Sequence, residues 1–151
     1  MIALLQRVSS ASVTVDGEKI AAIPQGLLVL LAVEKKDDEA TVDRLAEKIL
    51  KYRVFADADD KMNLSVLDIK GSVLMVPQFT LAADTRKGRR PGFSSAASPA
   101  MAEKMFRYLV QQAHNQFTDV ESGEFGADMQ VQLINDGPVT FWLQTKNGRA
   151  T

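Results

Sequence analysis

The segment Gly26-Leu-Leu-Val-Leu-Leu-Ala-Val33 constrains the fold more than any other. It is apolar on both faces, so a strand made from it has to be covered on both sides and belongs inside a sheet. It is far too short to cross a bilayer as a helix, which takes about 20 apolar residues. What precedes it also reads as strand. Residues 2–8 are apolar with β-branched members, and residues 11–15 alternate, with Val13 and Val15 on one face and Ser12 and Thr14 on the other. Asp16-Gly17 is the strongest kind of two-residue hairpin signal, residues 18–23 can return as the partner strand, and residues 24–26 make the next turn. Several strands therefore come before any helix, which argues against an alternating all-parallel fold.

The rest of the chain supplies two helices and further strands. Asp37, Asp38 and Glu39 put negative charge where a helix N-terminus favours it, and Val42, Leu45, Ala46 and Ile49 recur at helical spacing. Val54 and Phe55 suggest a short strand, residues 57–61 a polar turn, and residues 72–76 an apolar strand running into Pro77-Gln78-Phe79-Thr80-Leu81. After an Arg/Gly-rich loop over residues 83–97, Ser98 as N-cap and Pro99 at the first helical position open a second helix. Its apolar face is Met101, Met105, Phe106, Leu109 and Ala113, and it should end near Phe117. A loop over residues 121–128 leads to two final strands, 129–134 and 139–144, separated by Asn135-Asp136-Gly137-Pro138. The expectation is one α/β domain over residues 1–145, with a mixed sheet of about seven strands, two main helices packed on it and a polar, frayed end at 145–151. A chain of 151 residues buries roughly 68–70% of its unfolded surface, enough for a core without staples. The opening MIALLQRVSS is too short and too quickly polar for a signal peptide, so a cytoplasmic location is expected.

Composition narrows the chemistry. There is no cysteine, which removes disulfides, thiolate metal sites and thiol nucleophiles. Phosphate-binding loops, dinucleotide fingerprints, nucleophile elbows and zinc-protease motifs are missing too. The single histidine, His114, flanks the apolar stripe of the second helix and reads as a helix-end residue rather than a catalyst. Asp37-Asp38 and Asp59-Asp60 read as a helix start and a turn. With a formal net charge of −1, nucleic acid can be held only by a local patch, and Arg86, Lys87, Arg89 and Arg90 form one within five residues.

Three segments have two readings each. The Pro77-to-Leu81 segment either ends a strand or lines a site, where Gln78 offers an amide, Thr80 a hydroxyl, and the N–H groups of Phe79 and Thr80 could meet a ligand or an oxyanion. Gly137-Pro138 is either an ordinary turn or one of the roughly 5–6% of X–Pro bonds that are cis, with Gly137 allowing close approach of a ligand to the main chain. The basic loop is either solvated or holds phosphates, with Phe93 able to stack on a base.

These segments resemble a known family. Pro77-Gln78-Phe79-Thr80-Leu81 and Asn135-Asp136-Gly137-Pro138-Val139-Thr140 are similar to the Ser-Gln-Phe-Thr-Leu and Asn-x-Gly-Pro-Val-Thr signatures of the D-aminoacyl-tRNA deacylases of the D-tyrosyl-tRNA deacylase type. Gln6-Arg7-Val8, Ala11-Ser12-Val13, Lys61-Met62-Asn63-Leu64 and Ala82-Ala83-Asp84-Thr85 extend the likeness, which runs from Met1 to about Gln144. Pro77 stands where the commoner residue is Ser, and a related branch with relaxed chirality also has Pro there, followed by Gln-Ala-Thr-Leu. Phe79 and Val139 place the chain nearer the D-specific branch.

The resemblance implies the family's fold and a homodimer with two sites at the subunit interface. Gln78, Phe79 and Thr80 would carry catalysis. A cis Gly137-Pro138, with Val139 and Arg7, would reach into the neighbouring subunit's pocket and exclude L side chains by clash. The substrate would be D-aminoacyl-tRNA, with Gly-tRNA also accepted, and the bond cut the ester to the terminal ribose. RNA contacts would fall on Arg86, Lys87, Arg89, Arg90, Phe93 and Met129. No cofactor, metal or membrane is implied. Since no base sits near Thr80 in the sequence pattern, assistance by the RNA's 2′-hydroxyl with Phe79 and Thr80 N–H groups as oxyanion donors is preferred over Thr80 as nucleophile. The competing classes are a non-catalytic tRNA-binding dimeric module and a structural dimer without a small ligand.

Overall fold

The computed structural model describes residues 1–117 and 119–146 and the backbone of Arg149 and Ala150. In chain order its elements are β1 (Ile2–Val15), β2 (Glu18–Ile23), β3 (Gly26–Ala32), α1 (Glu39–Lys51), β4 (Phe55–Ala56), β5 (Met62–Leu64), β6 (Ser72–Pro77), a 3₁₀ turn (Phe79–Ala82), α2 (Pro99–Gln116), β7 (Val120–Ser122), β8 (Met129–Lys146) and β9 (Arg149–Ala150). The main sheet is ordered β7-β6-β3-β1-β8-β9, with β2 also paired to β1. β1 is antiparallel to β2, β3 and β8, whereas β3, β6 and β7 run parallel to one another. This is the mixed-sheet α/β architecture with two helices that the sequence implied.

β3 is central because it has two faces to bury. Leu27, Val29 and Leu31 join Ala3, Leu5, Val73 and Met75 under the helices. Leu28, with the partly buried Leu30, turns the other way onto Val8, Val13, Ile23, Leu74 and Val76, a second core inside the curled sheet. The helices meet the first core through Leu45, Ile49 and Leu50 of α1 and Met105, Phe106 and Leu109 of α2. Burying a side chain of that size contributes about 1.5–3 kcal/mol, and Leu45→Ala should cost about 2–5 kcal/mol. Asp38 caps α1 by accepting from Thr41 N–H at 2.8 Å, and Ser98 caps α2 with Pro99 in the first turn. Asp16 and Gly17 both have positive φ, 50° and 79°, as the expected hairpin turn requires.

The strands depart from expectation in their continuity. The first two expected strands are one, the 14-residue β1. The last two are also one, the 18-residue β8, so Asn135-Asp136-Gly137-Pro138 is not a turn between strands. Opposite β1, the register steps from Gln6↔Thr140 to Val8↔Asn135, and the surplus residues of β8 bulge out of the ladder. The two long strands bend together here, which lets β1 serve both cores.

The expected frayed end is also corrected. Thr145 is fully buried, its N–H donates to Met1 O at 3.0 Å, and β8 continues to Lys146. Arg149 and Ala150 pair back onto Lys146 and Thr145, while Asn147, Gly148 and Thr151 of the expected tail lie outside the described residues. The short β5, just after the polar turn expected at 57–61, and β7, at the start of the loop expected at 121–128, were not anticipated as strands, because their pairing is supplied by β4 and β6.

Candidate active site

Where β6 ends at Pro77, the chain is still tied to β3: Gln78 N–H donates to Leu31 O at 2.7 Å. It then turns into the 3₁₀ segment, whose own bonds begin with Leu81 N–H to Gln78 O. The N–H groups of Phe79 and Thr80 have no acceptor among the described residues, as expected at the start of a helical turn. Gln78 and Phe79, but not Thr80, line a cavity of about 430 Å³ walled by the end of β6, the start of α2, the 125–127 loop and the first residues of β8. Its lining is mostly apolar: Val76, Pro77, Ala97, Ala102, Phe125, Met129 and Val131 surround the polar Gln78. An apolar cleft with a few convergent polar groups suits a small organic group with one polar end. Phe79 is 58% exposed at the rim, with its ring 5.1 Å from that of Phe93.

Thr80 lacks activation. Its Oγ1 accepts from Gln78 Nε2, and an amide donor does not raise the nucleophilicity of a hydroxyl. His114 is exposed in the last turn of α2, outside the cavity lining. The cavity therefore offers backbone donors and shape rather than a side-chain base.

The second signature segment lies elsewhere. Arg7, on β1, pairs with Leu27 at one end of β3, whereas Gln78 bonds to Leu31 near the other end. Four residues at about 3.3 Å and three strand spacings of about 4.8 Å separate the two segments by roughly 13 Å along the strands and 14 Å across them. Neither Gly137 nor Pro138 lines the cavity of its own chain.

The Gly137-Pro138 peptide is cis, and Gly137 has φ of +130°. The bulge is fastened at its neck. Asn135 Nδ2 donates to Arg7 O and to Val139 O, both at 3.0 Å, and Thr140 Oγ1 donates to Asn135 Oδ1 at 3.2 Å. From below, Arg7 Nε donates to Asp136 O at 3.1 Å and its NH1 to Val54 O at 2.7 Å. A Cβ on Gly137 would come within 2.7 Å of Val139 Cγ2 and 3.1 Å of Arg7 NH2. Only glycine fits, sterically and conformationally. The motif residues expected to act together thus belong to two assemblies in one chain, a receptive turn and a fixed bulge.

The basic loop is strung between Asp84 and Gly92, which pair as a short bridge. Arg86 is spoken for: its guanidinium donates to both oxygens of Asp84 at 2.9 and 2.7 Å, which holds the Asp84 carboxyl well below the usual carboxylate range. Lys87, Arg89 and Arg90 are exposed and make no ion pair among the described residues. Met129, expected at the RNA, is in the cavity wall. Phe125, Ala127 and Ala97 were not anticipated as site residues. The two glycines of the 121–128 loop were the available signal, since they let that loop close over the cavity.

The fold and cavity fit an ester-cleaving enzyme of a known class. The chain belongs to the D-Tyr-tRNA(Tyr) deacylase family, whose model matches residues 4–144. It is 61% identical over 146 residues to the D-aminoacyl-tRNA deacylase of Janthinobacterium sp. (strain Marseille), covering 97% of this chain and 98% of that protein. With the D-aminoacyl-tRNA deacylase of Escherichia coli O81 (strain ED1a) it shares 60% identity over 144 residues, 95% of this chain and 99% of the other. Among solved structures it is similar to the c-Myc DNA Unwinding Element Binding Protein, with a TM-score of 0.93 and 40% identity, covering 97% of this chain and 99% of that one. A structure described as a probable eukaryotic D-amino acid tRNA deacylase shares the fold at a TM-score of 0.83 and 14% identity, over 93% of this chain and 97% of the other. Family membership makes the chain an enzyme, a hydrolase acting on an ester bond.

Proposed function

We propose that this enzyme is a chirality checkpoint for charged tRNA, hydrolysing the ester between a D-amino acid and the terminal ribose and releasing free tRNA. The observation that carries the reading is the separation of a receptive cavity, lined by Gln78 and Phe79 at the start of a turn whose Phe79 and Thr80 N–H groups have no acceptor among the described residues, from a hydrogen-bonded Gly137-Pro138 bulge that lies outside that cavity. A second copy of the chain resolves the separation: its bulge fills the mouth of this cavity, and the converse holds at the other site. The exposed Ile134 and Trp142 on β8, 61% and 51% accessible, flank the bulge and suit such an interface.

In that arrangement the cavity takes the terminal nucleoside and its ester. The Phe79 and Thr80 N–H groups receive the oxyanion, and the adjacent 2′-hydroxyl of the RNA assists attack by water. The bulge backbone occupies the space an L side chain needs, while D side chains point to open solvent, so handedness is read without regard to side-chain type. Glycine has no side chain to clash, which makes Gly-tRNA a further substrate. The enzyme works where tRNA is charged, in the cytoplasm. Phe93 and the unpaired Lys87, Arg89 and Arg90 contact the RNA near its 3′ end.

Two measurements test this. D-Tyr-tRNA should be deacylated and L-Tyr-tRNA spared; equal release of both, or release of neither, would sink the reading. Mixing Phe79→Pro chains, which lack the Phe79 N–H, with Gly137→Ala chains should restore in part hydrolysis that discriminates D-Tyr-tRNA from L-Tyr-tRNA, because one site of each mixed dimer then has both native segments. Mixtures no better than their components would put both segments in one subunit's site. The likeness to a DNA-unwinding-element-binding protein keeps a second reading in view, a non-catalytic nucleic-acid-binding dimer, which predicts tRNA binding that is salt-sensitive and indifferent to ester chirality.

A further inference from the structure

A second cleft, of about 370 Å³, lies beside the first, lined by Glu34, Lys35, Lys36, Asp37, Ser94, Ser95 and Lys146. Its two acids are already engaged. Asp37 is buried and accepts from the Met1 ammonium at 2.6 Å, and Glu34 accepts from the same ammonium and from Gln144 Nε2, both at 3.0 Å. Lys35, Lys36 and Lys146 are exposed and make no ion pair among the described residues. The cleft thus has an excess of positive charge in a chain whose net charge is −1.

The two clefts share a wall, the 94–97 segment. Ala97 lines the first cavity, and Ser94 and Ser95 line the second. The wall is fixed on both sides. Ala97 N–H donates to Val33 O and Lys35 N–H to Ser95 O, each at 3.0 Å, and Ser95 Oγ donates to Ala82 O, at the end of the catalytic turn, at 2.6 Å. Leu31, which anchors Gln78, is four residues before Lys35, which lies in the turn after β3, a span of at most about 13 Å. A strand whose 3′ end sat in the first cavity would reach this wall within a few nucleotides.

We infer that the lysine-rimmed cleft is a phosphate-binding subsite that holds the backbone of the substrate tRNA just upstream of its esterified end. This rests on the reading of the substrate as charged tRNA. The lysines act as point charges on phosphodiester oxygens, with the Ser94 hydroxyl and the Ser95 backbone as neighbouring polar groups, and they recognise no base. Their contribution is to binding and carries a salt dependence, while hydrolysis at the neighbouring cavity proceeds without them.

The test compares the native chain with the Lys35→Gln/Lys36→Gln/Lys146→Gln variant on two substrates, D-Tyr-tRNA and D-Tyr-adenosine, which has the ester but no phosphodiester backbone. For D-Tyr-tRNA the variant should raise KM about tenfold at low salt, leave kcat unchanged and reduce the slope of log KM against log salt by about 2. Hydrolysis of D-Tyr-adenosine should be unchanged, and the matching Lys→Arg variant should restore the tRNA KM. An unchanged tRNA KM and salt slope would overturn the inference, as would equal losses on both substrates, which would place the lysines in the ester site or the fold. Filter binding of uncharged tRNA to the same variants reads the subsite independently of turnover. A native chain that binds tRNA through these lysines yet fails to cleave D-Tyr-tRNA would sink the proposed activity and leave the subsite standing.

Discussion

The 78–82 turn and the 135–140 bulge are the two signature segments of this chain, and they are built in opposite ways. The turn is open: among the described residues its Phe79 and Thr80 N–H groups have no acceptor and the Thr80 hydroxyl bonds only to the Gln78 amide, while Phe79 is half-exposed. The bulge is closed on itself. Asn135 spans its neck, Arg7 holds it from below, and Gly137 sits where no Cβ fits. A group that has to stabilise charge appearing during a reaction needs unspent donors aimed at empty space. A group that has to exclude one shape needs backbone that cannot yield, and multiple hydrogen bonds to a bulge provide that.

The comparison breaks most visibly at Gly137. Gly137→Ala forces a Cβ into Val139 and Arg7 at a backbone angle that costs about 1–3 kcal/mol. Parallel rates on D-Tyr-tRNA and L-Tyr-tRNA should show discrimination falling by tenfold or more, at about 1.4 kcal/mol per factor of ten. Undiminished discrimination would mean that the bulge does not read handedness. Asn135→Ala comes next. It removes both donated bonds at the neck and leaves the Arg7 and Val139 carbonyls short of a partner, so thermal unfolding should report a loss of about 1–3 kcal/mol.

On the turn the expected effects are smaller. Thr80→Ala should leave stability within about 0.5 kcal/mol, since the side chain is exposed, and should slow deacylation less than removing the 2′-hydroxyl from the substrate. The reverse order would restore Thr80 as nucleophile. The smallest effect concerns the neighbouring loop. The Arg86 guanidinium beside Asp84 lowers the folded pKa below the ordinary value near 3.8, so the tie is complete above that value and is lost only as pH falls through the lower, folded one. An NMR titration of the Asp84 carboxyl should therefore have its midpoint below 3.8. Arg86→Ala should weaken tRNA binding less than Arg89→Ala or Arg90→Ala, because Arg86 is already paired.

What could be read from the chain followed from local rules. The Ser98-Pro99 cap, the Asp16-Gly17 hairpin and the two-faced β3 are each specified within a few residues, by side-chain capping, by backbone angles open to few residue types, and by alternation of apolar side chains. The candidate catalytic turn was also legible, as a strand end running into a Gly/Arg-rich loop. The 135–138 segment was misread as a connection between two strands because its composition is that of a turn. Whether such a segment reverses the chain or bulges out of a continuing strand depends on the strand opposite, and β1 continues past it.

By itself, then, the sequence determined the class of fold, the caps and turns, the absence of a thiol or placed histidine, and the two motifs that mark the family. The tertiary structure decided that β1 and β8 are single bent strands, that the two motifs stand apart within one chain, and that Ala97, Ser94 and Ser95 form a wall between an apolar cavity and a basic cleft. The division has a physical cause. Caps, turns and amphipathic faces depend on interactions between residues a few positions apart, whereas register, bulges and shared walls depend on which distant backbone supplies the hydrogen-bond partner.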